Sequence, residues 1–541
     1  MEILSPASYV KHWASVKPEQ CFLNQAKGEH WTATSWRDAY QQVAQLASFL
    51  QKYPAKSKIA IFSNNCSDWF LTDLAIMAAG HISVPIYPSA SVKTINQILT
   101  HSETQLIFIG KLSSDFDLTQ IASELDKIAI DKPIDGLCFW KESIKQCPPL
   151  QAFYQPSVKD TATIVYTSGT TGVPKGVVIS YRAISSAVNS IQKTIEIDQS
   201  DRYFSYLPLA HIMERMAIEL TSVVYGCQVS FVDDLPHFAI NLKQTRPSMF
   251  VAVPRIWVKL KQKIEAGFGG EWLFEKLTNL PIFGSWLRRY LVKKLGFDNL
   301  RYAITGAAAI STDTIHWWER LGVIIYEAYG MSETLGISNV NRPGARKIGT
   351  VGQVFESCQT MIAANGEILL KASCHMEGYY KEAELSAMAV QDGWLRTGDL
   401  GEIDAQGYLS IKGRVKEIFK TSKGKYISPV PIEQQLENLF AVDQCCVFGS
   451  DLPQPIAVIV VDKTQLPNKK QLNEYQAKLQ QINQGLEKHE KLSALLISSE
   501  EWTTENEMMT PTLKIRRQPI EDQYLPLYRP TSKNATIQRV D

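Results

Sequence analysis

The chain has 541 residues, 45% of them apolar and 21% charged, with 56 Lys and Arg against 55 Asp and Glu. These proportions are ordinary for a globular protein and exclude a disordered, collagen-like or coiled-coil chain. A formal charge of +1 gives no reason to expect a nucleic-acid binder. At roughly 150 residues per domain the length predicts two to four domains, able to bury their cores without disulfides or metals. Nine scattered cysteines with no CxxC pair read as free thiols of a reducing compartment. The start, MEILSPASYVKHW, lacks the pattern of a signal peptide, and the longest apolar stretch is broken by Asp73, Gly80, His81 and Pro85. A soluble, cytoplasmic protein is expected, with transient contact to the inner face of a membrane left open.

Along the chain, Ser35 precedes an apolar stripe at Trp36, Tyr40, Val43, Ala47 and Leu50, and Asp38 stands where a capping box has Glu. The run KIAIFS predicts a strand, residues 66–79 a helix, HISVPIY a strand, residues 91–101 a helix and QLIFI a strand. That alternation predicts a parallel sheet covered by helices. Near GYLSIKGRVKEIFK the chain turns basic and turn-like, which places a domain boundary at about Gly413. Beyond it, CCVFG and IAVIVV predict strands and residues 470–489 a polar helix, enough for a small separate domain.

The strongest local signal is ATIVY running into Thr167, Ser168, Gly169, Thr170, Thr171 and Gly172, followed by Lys175. Glycines let backbone N–H groups wrap phosphate oxygens, while hydroxyls and a lysine add donors and charge. It is not a Walker A loop, because Lys175 follows Pro174 and Gly176 stands where that loop has Ser or Thr. Further on come YGMSET (Tyr329, Gly330, Met331, Ser332, Glu333, Thr334), DGWLRTGDLGEID with Asp399, GRVKEIFKTSKGKYISP, and PTLKIRR with Lys514.

These five segments, in this order, resemble the signatures of the adenylate-forming superfamily, which includes acyl-CoA synthetases, luciferases and peptide-synthetase adenylation domains. The resemblance implies an α/β fold: a large domain over residues 1–412 with parallel sheets flanked by helices, and a small α+β domain over residues 413–541 on a hinge. It implies activation of a carboxylate by ATP to an acyl-adenylate, with pyrophosphate released, and then displacement of AMP by a thiol. Thr167 to Gly172 and Lys175 would hold nucleotide phosphates, as would Lys420. Glu333 and the Thr167 hydroxyl would hold Mg²⁺. Gly306, Ala307 and Ala308, with the YGMSET residues, would contact AMP, the small residues letting a flat group approach the backbone. Asp399 and Arg414 would bind the ribose. Lys514 would bridge the carboxylate and the α-phosphate, Lys416 would be the pivot, and Ser422, Gly424, Lys425 and Tyr426 would meet CoA. Ser422-Lys423-Gly424 departs from the usual Ser-Gly-Gly. Arg516 and Arg517 read as solvated or near nucleotide phosphates.

SYLPLAHIMER, with His211, Glu214 and Arg215, and VAVPRIWVKL resemble the long-chain acyl-CoA synthetase branch. His211 would wall the acyl–nucleotide junction; its ordinary reading is a satisfied core histidine. Residues 261–300, rich in Phe, Trp and Leu, resemble an insertion of that branch, and core packing is the ordinary reading of each aromatic there. A buried methylene is worth about 0.8 kcal/mol, so an alkyl tunnel should accept a range of chain lengths. The expected reaction is ATP-dependent ligation of a medium- or long-chain fatty acid to CoA. The alternative acceptor is a carrier-protein phosphopantetheine. A nucleotide-binding protein without turnover would show a damaged loop or a missing lysine, whereas Thr167, Lys175, Glu333, Asp399 and Lys514 are all in place.

Overall fold

The computed structural model describes residues 5–112, 116–122, 124–168, 174–437, 439, 441–463, 466–510, 514–530 and 535–540, with Ser168 and Glu271 described by their backbone alone. The chain packs into two compact units. One comprises Met1–Ala308, Ile315–Thr360 and Leu370–Leu395; the other comprises Ala309–Thr314, Met361–Leu369 and Arg396–Asp541.

The first unit is α/β. One sheet takes its strands in the order Gly378–Tyr379, Pro174–Ser180, Thr161–Ser168, Ile82–Ile86, Lys58–Phe62, Thr104–Ile109, Asp126–Ala129 and Cys138–Phe139. Its middle is parallel, and the strands are near-continuous apolar runs because helices cover both faces. The helix Ser67–Ala78 is buried from Asp68 to its end, Asp68 and Asp73 included, as befits a helix with apolar residues on every side. The helix Trp36–Leu50 starts as its sequence predicts, with the Ser35 side chain accepting from the Asp38 amide, and its buried face carries Trp36, Val43, Ala47 and Leu50. A second, nine-stranded sheet contains the parallel neighbours Met249–Ala252, Tyr302–Thr305 and Ile325–Tyr329.

The second unit is built on a mixed sheet of Val442–Phe448, Ile456–Val461, Ala494–Ser498 and Thr536–Arg539. All six residues of Ile456–Val461 are buried, because alternate side chains enter two cores. Ala457, Ile459 and Val461 meet Tyr475, Leu479 and Ile482 of the helix Lys469–Gly485. Ile456, Val458 and Val460 meet Trp502, Ile520 and Tyr524. All nine cysteines are free thiols. Among the described residues no helix is long and apolar enough to cross a membrane.

Candidate functional site

The strand Thr161–Ser168 leads into the Gly/Thr segment and pairs antiparallel with Pro174–Ser180, setting Thr167 opposite Lys175 and Tyr166 opposite Gly176. Gly169, Thr170, Thr171 and Gly172 lie outside the described residues. Gly176 is a packing requirement: a Cβ there would stand 2.8 Å from the Ile164 side chain and 3.1 Å from the Tyr166 ring. On its other edge Pro174–Ser180 pairs with Gly378–Tyr379. The Lys175 ammonium lies 5.8 Å from the centre of the Tyr379 ring, and the Tyr379 hydroxyl donates to Glu333 Oε1 at 2.7 Å. Burial and the neighbouring Glu333 charge raise the Tyr379 phenol well above its usual range, so it stays a donor. The Glu333 carbonyl accepts from the Met376 amide at 2.7 Å. Lys175, Tyr379 and Glu333 thus form one connected set, with Glu333 buried rather than at the surface where a lone glutamate usually lies.

Glu333 owes its position to a tight crossing. Tyr329 ends a strand, and Ser332, Glu333 and Thr334 form a single 3₁₀ turn whose Thr334 hydroxyl accepts from the Met331 amide at 3.3 Å. Gly336 N–H closes back on the Met331 carbonyl at 2.8 Å. A Cβ on Gly330 would fall 2.2 Å from the Gly336 carbonyl carbon and oxygen, so only glycine fits. Gly306, Ala307 and Ala308 follow the neighbouring strand, whose Thr305 pairs with Glu327. Both segments therefore sit at the carboxyl ends of adjacent parallel strands, where open α/β sheets bind ligands. A Cβ on Gly306 would stand 3.1 Å from the Ala328 carbonyl oxygen, and Ala307 holds φ +66° while exposed.

His211 is half-buried at a helix start; its Nδ1 accepts from the Met213 amide at 3.2 Å, and its ring meets Tyr87 edge-on at 6.4 Å. The next residues build a buried charge network along a π-helical segment, Arg215–Leu220. One terminal nitrogen of Arg215 donates to both Asp73 carboxylate oxygens at 2.6 Å, the other donates to the Thr163 hydroxyl at 2.6 Å, and Nε faces Glu219 at 3.4 Å. Glu214 accepts from the Ser205 hydroxyl at 2.8 Å and the Tyr206 amide at 3.1 Å. Burial pushes its carboxyl up to about 8 and that of Glu219 well above its usual range.

In the second unit Asp399 is buried and pairs with the exposed Arg414 at 2.9 Å across the hairpin Trp394–Ile403/Leu409–Arg414. Glu367 holds the turn before it, accepting from the Gly398 amide at 3.0 Å. Lys416 is exposed just past this hairpin, where the Arg414 carbonyl accepts from both Glu417 and Ile418 amides. Lys420 and Tyr426 face each other in a two-stranded hairpin, with the ammonium 5.9 Å from the ring centre. Ser422, Gly424, Lys425 and Tyr426 form its exposed turn, with Gly424 at φ +75°. Lys514 is exposed, its amide donating to the Thr510 hydroxyl at 3.1 Å.

Two features escape the sequence. Tyr379 lies 46 residues from Glu333 and belongs to none of the five segments. Arg517 is not solvated: it donates to the Val447 carbonyl at 2.6 Å, pairs with Glu433 and faces Glu417 at 3.7 Å. A carboxylate on a neighbouring helix makes that burial favourable, and spacing alone cannot reveal it.

The chain is 28% identical to the long-chain-fatty-acid–CoA ligase FadD15 of Mycobacterium bovis, covering 91% of each chain. It is 29% identical to the long-chain-fatty-acid–CoA ligase ACSBG2 of Xenopus laevis, over 77% of this chain and 64% of that one. Its fold is that of the A domain of carboxylic acid reductase from Segniliparus rugosus, solved with AMP and a co-purified carboxylic acid: TM-score 0.82, 19% identity, 96% of this chain and 93% of that one. The sequence pattern of the AMP-binding enzyme runs through residues 10–380 and that of the AMP-binding enzyme C-terminal domain through residues 416–527. The chain therefore belongs to the AMP-binding enzyme family.

Proposed function

We propose that this enzyme activates a medium- or long-chain fatty acid with ATP and transfers the acyl group to CoA. The observation that carries the reading is the connected set Lys175, Tyr379 and Glu333, with Thr167 opposite Lys175. The relatives named above as long-chain-fatty-acid–CoA ligases support the substrate class.

In the first step a carboxylate oxygen attacks the α-phosphorus of ATP, and the bond to pyrophosphate breaks. Both reactants are anions, so cationic groups must offset their repulsion. Lys175 serves the phosphates, and Lys514 bridges the carboxylate and the α-phosphate. The Thr167 hydroxyl and the Glu333 carboxylate are hard oxygen donors of the kind Mg²⁺ takes. Bound Mg²⁺ would supply further positive charge at the triphosphate. Tyr379 orients Glu333 by its hydrogen bond. Asp399 and Arg414 bind the ribose hydroxyls, and His211 walls the acyl–nucleotide junction. Gly306 to Ala308 and Tyr329 to Thr334 receive the adenylate. In the second step the CoA thiolate attacks the acyl carbonyl and AMP leaves. Turning at Lys416 would withdraw Lys514 and bring Ser422, Gly424, Lys425 and Tyr426 to CoA, with Lys420 on nucleotide phosphate.

The test is mass spectrometry of the protein with ATP, Mg²⁺, CoA and saturated acids from acetate to long chains. Medium- and long-chain thioesters are expected. Acyl-AMP without thioester would transfer the second step to a carrier-protein acceptor, and no product would overturn the reading.

A further inference from the structure

Seven of the eighteen exposed large apolar side chains among the described residues lie between Trp272 and Tyr290, so chance scatter does not account for them. They sit on a helical hairpin, Glu271–Thr278 and Phe283–Leu295. Trp272 is 72% exposed, Trp286 58% and Ile282, at the tip, 89%. Both exposed tryptophans of the described chain are here. Phe283, Trp286 and Tyr290 follow helical spacing along one face; Trp286 stacks on Tyr290 with centroids 5.5 Å apart, and Phe283 lies 5.8 Å from Trp286.

The tip is held in a costly shape. Ile282 adopts φ +62°, which a β-branched residue avoids. Gly284 permits the close turn, since a Cβ there would fall 2.1 Å from the Thr278 carbonyl oxygen. Arg288 fastens the two helices by donating to that same carbonyl at 3.0 Å. The most exposed apolar side chain is therefore fixed at the end of a braced projection.

Cations ring the aromatic face. Lys276 lies 5.0 Å from the Trp272 ring and Lys294 6.0 Å from the Tyr290 ring, and Arg289 and Lys293 are exposed beside them. Nearby Glu275 is neutralised by Arg320. Tryptophan and tyrosine favour the headgroup level of a bilayer, and Lys and Arg favour anionic headgroups. We propose that this hairpin is a docking surface for an anionic lipid bilayer, with Ile282, Phe283 and Trp286 entering the headgroup–acyl boundary and the basic residues meeting lipid phosphates. The helices are too short to span, so the contact is peripheral. The inference stands on this surface and not on the acyl-ligase reading.

The test is co-sedimentation of the full chain, without ATP, CoA or acid, with vesicles of phosphatidylcholine alone and of phosphatidylcholine with 30% phosphatidylglycerol. Binding to the anionic vesicles is expected, weaker with phosphatidylcholine alone and weakened by salt. Ile282→Asp with Trp286→Ala should lower the bound fraction at least tenfold, and Arg289→Glu with Lys293→Glu should remove the preference for anionic lipid. Both pairs are exposed, and circular dichroism checks that each variant folds. Absence of wild-type binding, or equal binding by the variants, overturns the proposal. So does light scattering that shows a dimer abolished by Ile282→Asp, since the surface would then face a second copy of the chain.

Discussion

Arg215 donates to the Thr163 hydroxyl at 2.6 Å, which ties the helix that follows His211 to the strand that reaches Thr167 four residues later. Its other terminal nitrogen holds Asp73. Neither side chain is more than 1% exposed, so this is a fully buried ion pair. Removing one partner of such a pair costs roughly 3–5 kcal/mol, because the other charge is left buried alone. Arg215→Met is therefore expected to lower the first thermal unfolding midpoint sharply. Asp73→Leu together with Arg215→Met should recover most of the loss. Calorimetry of the two variants checks this, and a double variant no better than the single one would contradict it.

Tyr379→Phe removes only the hydroxyl that reaches Glu333. Loss of a hydrogen bond to a charged acceptor is worth roughly 1.5–3 kcal/mol, or about tenfold or more in kcat/KM for adenylation. The expected pattern is slower pyrophosphate release, measured over a MgATP titration, in a protein that stays folded with a melting temperature lowered by about a few degrees. An unchanged rate would mean that the hydroxyl does not orient Glu333 for the reaction.

Lys514→Ala is expected to reduce adenylate formation by roughly 10²–10³-fold, the scale for losing a donor to developing charge. Thioester formation from synthetic acyl-AMP should be largely spared. Lys416→Pro should do the reverse, because a fixed φ hinders turning. Single-turnover assays of each half-reaction separate the two, and equal loss in both for Lys514→Ala would rule out two poses.

Burial lifts the Glu214 carboxyl from its ordinary 4.5 to about 8. The folded chain then keeps a proton that the unfolded chain releases between these values. This contribution to stability is full below the unfolded value and is lost as pH rises toward 8. Glu214→Gln should remove it. The stability difference between wild type and variant is expected to fall with pH across that window by at most about 1.4 kcal/mol per unit, and urea melts at several pH values measure it.

Much of this was legible in the chain because it depends on local pattern. Ser35 marks a helix start, the apolar runs KIAIFS and IAVIVV mark the strands found at Lys58–Phe62 and Ile456–Val461, and residues 66–79 carry the helical pattern found at Ser67–Ala78. The segments around Thr167, Glu333 and Asp399 stand out in the sequence because each gathers several polar or small residues, and the structure sets Thr167 opposite Lys175 and pairs Asp399 with Arg414. Pairings across long separations were not readable. Tyr379 reaches Glu333 only because its strand adds to the edge of Pro174–Ser180. The aromatics at 272, 283, 286 and 290 have helical spacing, which is the same whether that face turns inward or outward, so the expectation of core packing fails for them while Phe274 is buried.

Arg517 also bears on the one lysine proposed to leave and re-enter the chemistry. Lys514 rides on a loop whose base is closed by the Met509–Ile515 bridge and by the Arg516 amide on the Met508 carbonyl. The next residue bolts that base to Glu433 and to the Val447 carbonyl in the sheet. Any rotation of that sheet therefore carries this base with it. Loosening the bolt at Glu433 would blur the lysine's stopping point without touching the lysine.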